Sequence, residues 1–150
     1  MNFGSENLKQ DKIAIWLKIV NLECDKLSVT VLEPHDLTLT QYKVLKFLLQ
    51  NPEGTVRQVD IEQNFCIRNP TVTRILQTLE RKGLILRKNN PQDNRSKVIC
   101  LTEKAKSMEK LLYQLGDELE EKFTSSLTAE DKRELLRLLK KILSRRENDV

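Results

Sequence analysis

Between Thr55 and Leu101 the sequence runs without interruption from a short helical stretch, through the helix start Asn69-Pro70-Thr71, into a basic hairpin. Few folds accommodate that order. Asn69 suits an N-cap, because its side-chain oxygen can accept a backbone N–H left open in the first turn, and Pro70 fits the first helical position, where no donor is needed. Beyond it, Val72, Ile75, Leu76 and Leu79 recur at the three- and four-residue spacing of one buried stripe, with Pro70, Arg74, Gln77 and Arg81 opposite.

Gly83 reads as a helix-ending glycine, and Leu84-Ile85-Leu86-Arg87-Lys88 as a short strand with a basic end. The turn formers from Asn89 to Asn94 are expected to stop that strand. Lys97-Val98-Ile99-Cys100-Leu101 then returns, so the segment is a hairpin whose tip carries Asp93, Arg95 and Lys97. Upstream, Thr38-Leu39-Thr40-Gln41 and Thr55-Val56-Arg57-Gln58 each fit a capping box, which predicts two helix starts. The first of these helices carries Tyr42, Val44, Leu45, Leu48 and Leu49 and the second Val59, Ile61 and Phe65, all expected behind the helix at 69. The fold class this predicts is mainly α, a winged helix-turn-helix with a two-stranded β wing.

A helix that enters the major groove must anchor its inner face on a core and offer polar groups from its N-terminal turns. Arg68, Asn69, Thr71, Thr73 and Arg74 supply those groups, with Gln77 one turn further on. On the wing, Arg95 suits a narrow, electronegative minor groove. Asp93, two residues away, is expected to hold its guanidinium through a charge-assisted pair, with Lys97 alongside. Arg57, Gln58 and Lys88 are candidates for phosphate contacts, which fix register without reading sequence.

Charge supports this placement by distribution and not by amount. Residues 68 to 97 hold eight basic side chains against two acidic ones, a net +6 in a chain of net +4, so the remainder is acidic. A charge run is usually a solvated face, but here it coincides with an independent pattern.

Thr71-Val72-Thr73-Arg74, Leu79-Glu80-Arg81-Lys82-Gly83-Leu84, and Asp93-x-Arg95 followed by a strand and Leu101-Thr102 resemble the MarR-type transcriptional regulators. The specific motifs lie between Leu37 and Thr102; elsewhere the resemblance rests on helix order. One departure is Cys66, where the family often carries glycine or asparagine because the turn favours a left-handed backbone.

Long helical patterns flank the central segment. From Asp11 to Leu32, Ile13, Trp16, Val20, Cys24, Leu27 and Val31 share a stripe widened by Leu17, Ile19 and Leu22. After the wing, Thr102 is expected to cap one long helix bearing Met108, Leu111, Leu112, Leu115, Leu119 and Phe123, and Thr128 another bearing Leu135, Leu136, Leu138, Leu139, Ile142 and Leu143. Wide apolar faces at both ends call for burial in a two-fold homodimer, which the family resemblance also implies. The expected organisation is one domain over 1–150, with a reading part at 36–102 and dimerisation helices at 9–32 and 103–146.

The family resemblance implies a response to a signal, often a small aromatic or lipophilic molecule held between the reading head and the dimer helices. Trp16, His35, Tyr42 and Tyr113 are candidates for such a pocket, although aromatics at helical spacing equally suit plain core. Some relatives sense oxidants through cysteine, which makes Cys24 and then Cys66 candidates; the alternative for Cys24 is a small buried apolar residue.

One histidine, no phosphate-binding glycine loop, no metal-ligand cluster and no nucleophile beside a base argue against an enzyme, a cofactor or a metal site. No apolar run approaches a membrane span and no secretion signal is recognisable, so a cytoplasmic location is expected. The sequence therefore predicts a homodimeric repressor on an inverted-repeat operator in double-stranded DNA, modulated by a small molecule or an oxidant. The competing reading is a winged-helix module that binds protein and not DNA.

Overall fold

The computed structural model describes residues 12–144. The parts of the expected dimerisation helices at 9–11 and 145–146 lie outside them. The chain forms α1 (Ile13–Leu32), a 3-10 turn (Glu33–His35), α2 (Leu39–Gln50), α3 (Gln58–Phe65), α4 (Asn69–Arg81), β1 (Ile85–Asn90), β2 (Asp93–Leu101), α5 (Glu103–Ser107), α6 (Glu109–Phe123) and α7 (Ala129–Ser144). This is the mainly helical winged helix-turn-helix that the pattern predicts.

α2 starts where its capping box demands: the Gln41 N–H donates to Thr38 Oγ1 at 3.2 Å and the Thr38 N–H to Gln41 Oε1 at 3.3 Å. The second expected box is displaced. Thr55 turns its hydroxyl back onto the Pro52 carbonyl at 2.6 Å, and α3 begins with Arg57 as N-cap, whose N–H donates to Asp60 Oδ2 at 2.8 Å. Residues 56 and 57 cannot enter the helix because they pair with β2: the Ile99 N–H donates to the Val56 carbonyl at 2.8 Å, and Arg57 bridges Val98. The wing is thereby stitched to the foot of α3.

Cys66 ends α3 in the left-handed conformation at φ 52°, with its N–H on the Gln63 carbonyl and the Ile67 N–H on the Glu62 carbonyl. The turn keeps its geometry without glycine, at a cost of about 1–2 kcal/mol for a residue bearing a Cβ. α4 then starts one residue earlier than expected. Its N-cap is Arg68, and Asn69 lies inside the first turn, with its side chain drawn away to α3.

The core gathers Leu32, Val44, Leu45, Ile61, Val72, Leu76, Leu79 and Leu112, so the apolar stripe of α4 is buried as its spacing predicts. The hairpin is longer than expected, because Asn89 and Asn90 join β1 and only Pro91 and Gln92 separate the strands. Asn89 pairs with Lys97 but Asn90 with Asp93, which leaves 94–96 as a bulge in β2. Asn90 permits this by donating to Ser96 Oγ at 3.0 Å while accepting the Gln92 N–H at 3.0 Å.

The helix after the wing is broken, contrary to expectation. Thr102 caps α5 through the Ala105 N–H at 3.2 Å, but Ser107 donates its hydroxyl to the Lys104 carbonyl at 2.6 Å and the Met108 N–H takes Ala105 instead, so α6 restarts at Glu109. Thr128 and Asp131 close the predicted cap of α7 reciprocally, at 2.9 and 3.1 Å. α7 has no buried residue, and Leu135, Leu136, Leu138, Ile142 and Leu143 are exposed, as are Ile13, Trp16, Leu17, Val20 and Leu22 on α1. A groove of about 630 Å³ between the two helices is lined by Ile13, Leu17, Leu135, Leu138 and Ile142. No helix among the described residues is long and apolar enough to cross a membrane.

Candidate nucleic-acid interface

α4 fixes three apolar side chains in the core, so its opposite face must look outward. Arg68, Asn69, Thr71, Arg74 and Gln77 are exposed there and Thr73 is half-buried. Arg68 and Arg74 pair with no carboxylate among the described residues, and neither do Lys88, Arg95 or Lys97. The remaining basic side chains of the segment serve the scaffold: Arg87 Nε lies 3.1 Å from Glu80, Arg81 donates to Thr78 Oγ1 at 3.1 Å, and Lys82 lies 3.4 Å from the Asp36 carboxylate. Within residues 68–97 the cations left without a carboxylate or a hydrogen-bond partner therefore lie at the start of α4 and on the wing.

Asn69, Thr73, Gln58 and Glu62 form a closed hydrogen-bonded ring across α3 and α4. Asn69 Nδ2 donates to Glu62 Oε1 at 2.7 Å, Gln58 Nε2 donates to the same oxygen at 3.2 Å and to Thr73 Oγ1 at 2.8 Å, and Thr73 Oγ1 reaches Asn69 Oδ1 at 3.5 Å. Gln58 thus meets the reading helix instead of standing free for a phosphate. Sequence reasoning missed Glu62, because its link to Asn69 crosses a turn; only the spacing of four from Gln58 hinted at a contact.

At the wing the expected pairing of Asp93 with the Arg95 guanidinium is absent. Asp93 Oδ1 accepts the Arg95 backbone N–H at 3.0 Å, an Asx-type turn that shapes the bulge and leaves the guanidinium unpaired. The brace acts on the chain and not on the charge. The Asp93 charge also contributes, as the least of several causes, to holding Arg57 protonated; the main cause is a hydrogen bond to Asp60. Arg57 donates from Nε and Nη2 to that carboxylate at 3.3 and 3.1 Å, which in turn lowers the Asp60 pKa from its ordinary value.

The four aromatic candidates do not converge. Trp16 lies near the start of α1 and His35 just past its end, and the helix between them spans roughly 24 Å. Tyr42 and Tyr113 share one cation: Lys46 Nζ sits 4.0 Å from the Tyr113 ring centre and 5.9 Å from that of Tyr42. Tyr42 Oη donates to the Leu112 carbonyl at 3.3 Å, and burial, with Asp117 nearby, raises its pKa. Cys24 is half-buried on α1, Cys66 is exposed, Cys100 is buried, and all three are free thiols.

A helix-turn-helix with its reading helix anchored on a core and a hairpin tied to its flank defines a winged-helix regulator. The MarR family profile matches residues 37–97. The chain is 35% identical over 126 residues to the multiple antibiotic resistance protein MarR of Salmonella typhimurium, covering 83% of this chain and 86% of that one. A mutant MarR from E. coli complexed with operator DNA superposes with a TM-score of 0.77 at 30% identity, over 87% of this chain and 93% of the other. The S. aureus MepR–DNA complex gives a TM-score of 0.77 at 29% identity, over 90% and 98%. The chain belongs to the MarR family of winged-helix transcriptional regulators.

Proposed function

We propose that this regulator is a repressor that binds an inverted-repeat operator as a homodimer. The observation that carries the reading is the exposed face of α4, where Arg68, Thr71, Arg74 and Gln77 stand free beside a wing whose bulge presents Arg95. Two of its structural relatives were crystallised with DNA, one of them with operator DNA. The apolar faces of α1 and α7 support the dimer, since so much exposed leucine and isoleucine on adjoining helices calls for a partner surface. Recognition helices related by a two-fold axis would lie about one DNA turn, roughly 34 Å, apart. Arg57 and Lys88 remain the proposed phosphate-side residues, Gln58 being committed to Glu62 and Thr73, and Tyr42 and Tyr113, which share Lys46, remain the candidates for contact with an aromatic or lipophilic effector.

Fluorescence-anisotropy titration against DNA from upstream of its own gene, with scrambled DNA as competitor, tests the reading. Tight, salt-sensitive and sequence-selective binding that Arg74→Ala and Arg95→Ala weaken is expected. Binding indifferent to sequence, salt and both substitutions would instead favour a protein-binding winged helix.

A further inference from the structure

We infer that Glu62, which lies on α3 and outside the recognition helix, determines which hydrogen-bonding face that helix offers to a base pair. The inference rests on the DNA-reading function proposed above. An ionised carboxylate only accepts hydrogen bonds. Any amide held against it must therefore present its NH2 group, and both Asn69 and Gln58 do so, at 2.7 and 3.2 Å. The opposite orientation of Asn69 would set a carbonyl oxygen against the carboxylate.

The rest of the ring follows from that constraint. Gln58 spends its second N–H on Thr73 Oγ1 at 2.8 Å, so the Thr73 hydroxyl must direct its own hydrogen elsewhere, and Asn69 Oδ1 is the acceptor within reach at 3.5 Å. Each of the four side chains thus has a fixed polarity. Asn69 Oδ1 keeps a lone pair for an outside donor, Asn69 Nδ2 keeps a second hydrogen for an outside acceptor, and the second Glu62 oxygen keeps its lone pairs. The exposed edge of the ring thus offers an acceptor and a donor in a fixed order, complementary to adenine, which donates from N6 and accepts at N7, and mismatched with guanine, which presents two acceptors, O6 and N7. Only adenine shows that pair of groups to the major groove, so the ring chooses both the base pair and the strand that carries the adenine.

Glu62 is accordingly a positioning residue for specificity, and its removal should alter base preference more than affinity. Glu62→Gln keeps the length and the hydrogen-bonding capacity but can donate as well as accept, which frees Asn69 to turn over. The experiment is selection of bound sequences from a random duplex pool by the full chain, by Glu62→Gln and by Arg74→Ala, with thermal melting of each protein.

The wild type should enrich a motif in which at least one position is restricted to A. In Glu62→Gln that position should open to other bases, with discrimination reduced about tenfold, while the other positions and the melting temperature hold. An identical motif from both proteins would overturn the role of Glu62 and leave DNA reading intact. No enriched motif from the wild type would overturn DNA reading itself. Loss of the whole motif together with a fall in melting temperature would make Glu62 a structural brace, and the inference would fail.

Discussion

Lys82, at the end of the recognition helix, donates from Nζ to Gln41 Oε1, 3.0 Å away in the first turn of α2. The same ammonium bonds the Asp36 carbonyl and approaches its carboxylate at 3.4 Å, and Asp36 is itself held in the left-handed region at φ 54°. Lys104 in turn donates to the Lys82 carbonyl at 2.8 Å, and the Thr102 hydroxyl to that of Gly83 at 2.6 Å. One lysine therefore joins the end of α4, the α1–α2 junction and the start of α5.

Lys82→Ala should lower stability by about 1–2 kcal/mol, since hydrogen bonds to a charged group are lost where the lysine is only about a quarter exposed. Urea unfolding measures this directly. Lys82→Met, which keeps the stem packing, should recover only part of the loss; full recovery would assign the effect to packing alone.

The wing yields a sharper test. Because Asp93 bonds the Arg95 backbone and not its guanidinium, Asp93→Asn should retain most DNA affinity, the amide oxygen still accepting that N–H. Asp93→Ala should lose nearly as much as Arg95→Ala, and the double substitution little more than either single one. A loss in Asp93→Asn equal to that in Asp93→Ala would restore the ion-pair explanation.

Asp60 provides the pH-dependent element. Its carboxyl is held below the ordinary aspartate value of about 3.9 first by the Arg57 side chain, so it stabilises the start of α3 at pH above that value. The contribution fades as pH falls through the lowered pKa. Carboxyl chemical shifts followed by NMR should place the Asp60 midpoint below that of exposed aspartates, and Arg57→Ala should return it towards them.

How much of this was legible in advance depends on the range of the interaction. The stripe of Val72, Leu76 and Leu79, the Thr38 and Thr128 caps and the basic hairpin could be read, because each is written within one helix or one turn. Thr55 misled because the strand pairing of Val56 and Arg57 with β2, some forty residues away, overrode a locally sound capping box. Asn69 misled for the same reason, its side chain being claimed by Glu62 across the turn. Residue types at the wing tip were readable but the bulge was not, since its register is set by the Asn90–Ser96 hydrogen bond and not by alternation. Cys66 shows the converse: the turn imposed its left-handed geometry on a residue that does not favour it. Cys66→Gly should therefore gain about 0.5–1 kcal/mol, the strain relieved exceeding the entropy glycine adds to the unfolded chain.

The outer helices can be tested apart from the reading head. α7 has no buried residue, so charge on its apolar face should leave the core of α2 to α4 intact. Leu138→Asp with Ile142→Asp places two carboxylates in the groove that these residues line with Ile13 and Leu17. Sedimentation of the wild type at micromolar concentration should show a dimer and that of the double variant a monomer, with near-identical far-ultraviolet circular dichroism. Affinity for an inverted repeat should then fall by roughly 10²-fold or more, because the second half-site no longer binds as part of the same molecule. Affinity for an isolated half-site should not change. A monomeric wild type would remove the two-fold operator from the proposal, and a dimeric double variant would show that the partner surface lies elsewhere than on α1 and α7.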